Sequence, residues 1–93
     1  MKVLVTTDKR GVFYGEIEDI EAIAEGDPIT LKNARNIVYW SAATRGFLGI
    51  AATGPADGSR VGPAVPSLTL MGITSVAVCT EIAAAAIEAG PWK

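Results

Sequence analysis

Turn-forming residues recur so closely along this chain that the segments between them can form only short strands and short helices. Val3-Leu4-Val5-Thr6-Thr7 is brief and mostly β-branched, which predicts a strand. Asp8-Lys9-Arg10-Gly11 supplies turn chemistry, with Gly11 free to adopt a positive φ. From Val12 to Ile20 the pattern alternates, placing Phe13 and Ile17 on one face and Tyr14, Glu16 and Glu18 on the other. The pair reads as a β-hairpin. Glu21 to Asp27 is acidic and ends in Gly26-Asp27-Pro28, which reads as a loop or one helical turn. Ile29-Thr30-Leu31 resumes strand character, Asn33 to Asn36 reads as a turn, and Ile37-Val38-Tyr39-Trp40 as a fourth strand. Asn33 and Asn36 both suit the left-handed region.

Ser41 or Thr44 can cap a helix reaching about Thr53, with Phe47, Leu48, Ile50 and Ala51 as its apolar face and Gly54-Pro55 as its stop. Pro55 to Pro66 is dense in glycine and proline and reads as a loop. Ser67 to Leu70 and Ile73 to Cys79 are strands separated by Gly72. Thr80 suits a helix N-cap, Glu81 the positive helix end, and Ile82 to Ala89 a short alanine-rich helix closed by Gly90-Pro91. Trp92 reads as an apolar anchor folded back on the domain. The alanine-rich helix suits close packing, either on its own sheet or against a second copy. Short strands joined by tight turns predict an α+β fold: a small, mainly antiparallel sheet, curled or barrel-like, with two short helices. Ninety-three residues allow a single domain over 1–93, small enough that association with copies of itself would add stability.

Composition narrows the chemistry. Hydrophobic residues make up 49% and charged residues 19%, which suits a compact domain with a buried subunit interface. A net charge of −2 argues against binding a nucleic-acid polymer, whose backbone selects basic surfaces. The chain contains no histidine, which removes the commonest general base, the Ser-His-Asp mechanism and most zinc sites. A single cysteine, Cys79, can form neither an internal disulfide nor a thiolate metal cluster, and it suits a reducing compartment. Neither a phosphate-binding loop nor a dinucleotide fingerprint is present, so no cofactor or metal is expected and no catalytic residue is assigned. Met1-Lys2 leads straight into a strand and the apolar runs are short of a bilayer span, so a soluble, cytoplasmic protein with no membrane partner is expected.

Charges are segregated. Glu16, Glu18, Asp19, Glu21, Glu25 and Asp27 form an acidic stretch that reads as a solvated edge or, without calcium-loop spacing, as a cation site. Lys32, Arg35, Arg45 and Arg60 follow with only Asp57 among them, so one region can receive a small anion. Cys79 reads as a thiol activated by the following helix or as a small core residue. The richest cluster is Tyr39, Trp40, Thr44, Arg45, Ser59 and Arg60. Arginine offers a planar fork for phosphate and an aromatic face stacks a base. Thr44 to Gly46 at a helix start adds backbone N–H groups. The competing reading makes Tyr39 and Trp40 core or interface, with the arginines paired to the acidic stretch.

Asn33-Ala34-Arg35, Tyr39-Trp40 and Thr44-Arg45-Gly46, followed by Gly54-Pro55, Gly58-Ser59-Arg60 and Gly62-Pro63-Ala64-Val65-Pro66, resemble an uncharacterised family of small proteins encoded by phages and prophages. The front hairpin, Arg10 to Gly15, is similar to it as well, whereas the acidic insert from Ile20 to Asp27 departs from it. The resemblance implies an accessory role in the cytoplasm of an infected host. The leading expectation is a non-enzymatic, homo-oligomeric binding protein that sequesters a small anionic or nucleotide-like ligand, as an anti-defence sponge does. The alternatives are a virion decoration or assembly protein, located in the virion, and an inhibitor that binds a host protein. An enzyme working through carboxylates such as Glu16 or Asp57 is the weakest of the readings.

Overall fold

The computed structural model describes residues 1–8, 11–18, 28–40, 46–56 and 59–89, with Tyr39 described by its backbone alone. The elements run β1 (Lys2–Thr7), β2 (Val12–Glu16), β3 (Ile29–Tyr39), α1 (Gly46–Thr53), β4 (Arg60–Val61), β5 (Val65–Leu70), β6 (Ile73–Val78) and α2 (Glu81–Glu88). The strands form one antiparallel sheet in the order β4-β3-β2-β1-β6, with β5 also on β3. It is an α+β fold with an open, curled sheet and two short helices.

Connectivity forces the curl. Laid flat, the path β5-β3-β2-β1-β6 has four gaps of about 4.8 Å, so its outer strands would lie about 19 Å apart. Leu70 ends β5 and Ile73 begins β6, and a link of three Cα steps spans at most about 11 Å. The sheet therefore rolls until these two ends meet. Gly72 makes the corner with φ 69°, and its carbonyl accepts a 2.8 Å bond from the Asp8 N–H.

The hairpin forms as the alternation predicts, with Leu4 opposite Tyr14 and Thr6 opposite Val12. The third and fourth strands of the sequence reading are a single strand, β3. Asn33 takes φ 51°, as its residue type allows, but it makes a bulge and no chain reversal. Lys32 lies opposite Glu16 and Arg35 opposite Tyr14, so β3 carries one extra residue there. Asn36 pairs with Phe13 in ordinary strand register, outside the left-handed region. The bulge changes which face the strand presents. Leu31 and Ala34 pack inside the curl, whereas Ile37 packs toward the helices. The loop read over Pro55 to Pro66 also contains structure: β4 pairs with the end of β3, and β5 already begins at Val65.

Both sheet faces are buried. Val3, Val5, Ile29, Leu31, Ala34 and Leu70 fill the concave side. Leu4, Val12, Tyr14, Ile37 and Val61 meet Ile50 and Ala51 of α1 and Ala84 and Ile87 of α2 on the other. The alanine-rich helix thus packs within its own chain, settling that alternative for its inner face. Of the apolar face read for α1, Ile50 and Ala51 are buried but Leu48 is 72% exposed. Thr80 caps α2 as its sequence position predicts. Its hydroxyl accepts from the Ala83 N–H at 3.1 Å and donates to the Ala52 carbonyl at 2.6 Å, stitching the two helices together. Gly54 follows α1 with φ 86°, and a Cβ there would meet the Ala86 Cβ at 2.6 Å. Ser41, Gly90, Pro91 and Trp92 lie outside the described residues.

Candidate functional site

Residues far apart in sequence meet where β4 joins the end of β3. Arg60 stands opposite Tyr39 and Val61 opposite Ile37, with a register shift between them. Trp40 continues from Tyr39, is half-buried, and packs on the helix-side core to which Phe47 of α1 also belongs. Ser59 is only 2% exposed, and its N–H donates to the Ala56 carbonyl at 3.1 Å. Arg60, the next residue, is exposed. Alternation along the chain explains this division, Ser59 turning inward and Arg60 outward. Four of the six candidate residues are therefore carried by one corner, with Arg60 exposed and Trp40 half-buried against the helix-side core. Thr44 and Arg45 lie outside the described residues, as do Asp57 and Gly58.

Arg35 leaves the anion-binding set that the charge pattern suggested. Its Nε donates to the Gly62 carbonyl and its Nη1 to the Ile87 carbonyl, both at 2.7 Å. Ile87 lies in the last turn of α2, which has no basic residue of its own there. A guanidinium on those carbonyls satisfies an acceptor left open at the helix end and complements the helix dipole. Fifty-two residues separate the partners, so no local pattern announces the contact.

A second polar cluster also escapes sequence reasoning. Lys2 forms an ion pair with Glu88 at 2.8 Å, and the Tyr14 hydroxyl donates to the same carboxylate. The Lys2 hydrogen bond, followed by the Tyr14 one, holds the Glu88 carboxyl below its usual range. Burial, followed by the bond to Glu88, pushes the Tyr14 hydroxyl well above its usual value. A carboxylate so occupied is a structural tie, with its affinity for protons lowered rather than raised toward neutrality. Cys79 is half-buried on the helix-side core, and burial pushes its thiol up to about 11. That shift opposes the activation expected from the helix start and supports the small-core-residue reading.

A groove of about 530 Å³ lies elsewhere, lined by Glu16, Ile17, Glu18, Thr30 and Lys32. Glu16 there already accepts from the Asn33 side-chain amide at 2.7 Å. Among the described residues no three histidine, cysteine, aspartate or glutamate side chains gather as metal ligands. No helix among them is long and apolar enough to cross a membrane.

No curated protein and no solved structure matches the chain. Residues 1–87 match the family described as Domain of unknown function (DUF6948), and the chain belongs to that family.

Proposed function

We propose that this DUF6948 protein is a non-enzymatic binding module that captures a small anionic, nucleotide-like ligand at the β3–β4 corner. The observation that carries the reading is the register of exposed Arg60 opposite Tyr39, with Trp40 beside them. A guanidinium grips a phosphate through paired N–H donors, and an aromatic ring stacks a base. Arg45, close in sequence to Trp40, is the second arginine of the site, and Thr44 contributes a hydroxyl, while buried Ser59 anchors the corner through its N–H to the Ala56 carbonyl. Two features support capture over turnover. The Glu88 carboxylate is tied to Lys2 and Tyr14, and burial holds the Cys79 thiol in its inactive form. The protein works as a homo-oligomer in the cytoplasm of a phage-infected cell, a context that rests on the resemblance to phage-encoded proteins.

The test is native mass spectrometry of the protein purified from phage-challenged cells, with denaturation to release bound mass, followed by calorimetric titration of the released compound. Wild type carries a stoichiometric anion of nucleotide size, and Arg60→Ala and Arg45→Ala each weaken its binding at least about tenfold. Unchanged binding in both variants removes the site from this corner. Ligand-free protein recovered on purified virions replaces the reading with a structural one.

A further inference from the structure

We propose that Arg35 is the positioning residue of the ligand corner, coupling the docking of the α2 end to the placement of β4 and so of Arg60. The inference rests on the reading of that corner as a binding site. Little else fixes β4 in place. The strand is two residues long, stands at one end of the sheet order and has β3 as its neighbour. A register shift between Ile37 and Tyr39 makes the ladder irregular where Arg60 meets it. Val61 is buried, but Arg60 is exposed and gains no packing of its own. The next residue, Gly62, is held on both backbone groups by β3. Its N–H donates to the Asn36 carbonyl and its carbonyl accepts from Arg35 Nε, each at 2.7 Å.

The same guanidinium ends on α2, where Nη1 donates to the Ile87 carbonyl at 2.7 Å. Tyr14 stands opposite Arg35 on the neighbouring strand and donates its hydroxyl to Glu88, the residue after Ile87. Lys2 pairs with that carboxylate as well. Arg35, Tyr14 and Lys2 thus hold the last turn of α2, and of the three Arg35 also bonds beside β4. A guanidinium is planar, so its Nε and Nη1 donors keep a fixed relation to each other. When the Ile87 carbonyl shifts, the plane turns and the bond to Gly62 lengthens or breaks. Coupling of this kind is reciprocal: a loosened α2 end frees β4, and a ligand gripped at β4 steadies α2. Val61 and Ile87 also share the helix-side core, a path through packing that a test must separate from the polar one.

Amide exchange followed by NMR on the purified full chain makes the separation. The Gly62 N–H reports on β4, and the Ala89 N–H, bonded to the Ala85 carbonyl at 3.0 Å, reports on the end of α2. The β1–β2 hairpin is the reference. Arg35→Met keeps an apolar stem and removes both bonds, so Gly62 exchange quickens at least about tenfold against the hairpin. Glu88→Ala frees the α2 end from Lys2 and Tyr14 without touching β4, and Gly62 quickens there too. Placed in the Arg35→Met background, Glu88→Ala adds nothing at Gly62, a pattern that packing alone does not produce. Saturating AMP slows exchange at Gly62 and, with Arg35 in place, at Ala89. Unaltered Gly62 exchange in Glu88→Ala overturns the coupling, and that variant decides if Arg35→Met fails to fold. An equal Glu88→Ala effect in both backgrounds overturns it as well, as does AMP that protects Gly62 but not Ala89. AMP that protects neither residue overturns the nucleotide corner, while exchange in the free protein still decides the link between α2 and β4.

Discussion

On the concave side of the sheet, Val3, Val5, Ile29, Leu31, Ala34 and Leu70 close on one another as the sheet rolls. On the other side, Leu4, Tyr14, Ile37 and Val61 are covered by α1 and α2, and the cover is tied down by polar contacts. Thr80 joins the helices, Arg35 holds the end of α2, and Tyr14 and Lys2 converge on Glu88. The difference follows from the elements themselves. A rolled sheet buries its inner face with its own side chains, whereas helices of eight residues are marginal alone and persist only when docked. One face is held by packing and the other by packing plus stitches.

The sharpest way to break this comparison is Leu31→Ala. Leu31 is fully buried with no polar contact to compensate, so its truncation should cost about 2–5 kcal/mol, read as a lowered urea midpoint. A loss below about 1 kcal/mol would mean that the concave cluster is not a packed core. Thr80→Ala should cost less, about 1–2 kcal/mol, because it removes the α2 cap and the bond to Ala52. Hydrogen exchange should then quicken in α2 and the end of α1 while the β1–β2 hairpin keeps its protection. Equal loosening in both places would erase the distinction between the faces.

The smallest effect is a pH dependence confined to the helix side. The folded Glu88 carboxyl lies below its ordinary value of 4.5, so its contribution is present above that pH and is lost as pH falls further. Tyr14 is raised above its ordinary 10.0, so its contribution is present below that pH and is lost as pH rises beyond it. Glu88→Gln should flatten the acid limb of a stability–pH curve, and Tyr14→Phe the alkaline limb. An acid limb unchanged in Glu88→Gln would show that the Glu88 tie contributes nothing measurable.

Local chemistry made the hairpin, the Thr80 cap and the alternation of Phe13 against Tyr14 legible, since each depends on residues a few positions apart. β3 was misread at Asn33 because a turn and a bulge draw on the same residue type and the same positive φ. Only the neighbouring strands distinguish them, by continuing to pair with β3 past the bulge. Arg35 and Arg60 looked equivalent in the charge pattern. One is anchored to the end of α2 and the other reaches water, and that division is made by contacts with residues far along the chain.

What the sequence determined by itself was the set of short elements, their amphipathic faces and the absence of histidine and thiolate-cluster chemistry, because period, turn residues and composition act locally or by count. What tertiary structure decided was the roll of the sheet, the meeting of Tyr39 with Arg60, and the capture of Arg35 and Glu88. Each depends on which strands become neighbours, and that choice is made by burying both faces of the sheet at once within a chain whose connections are short.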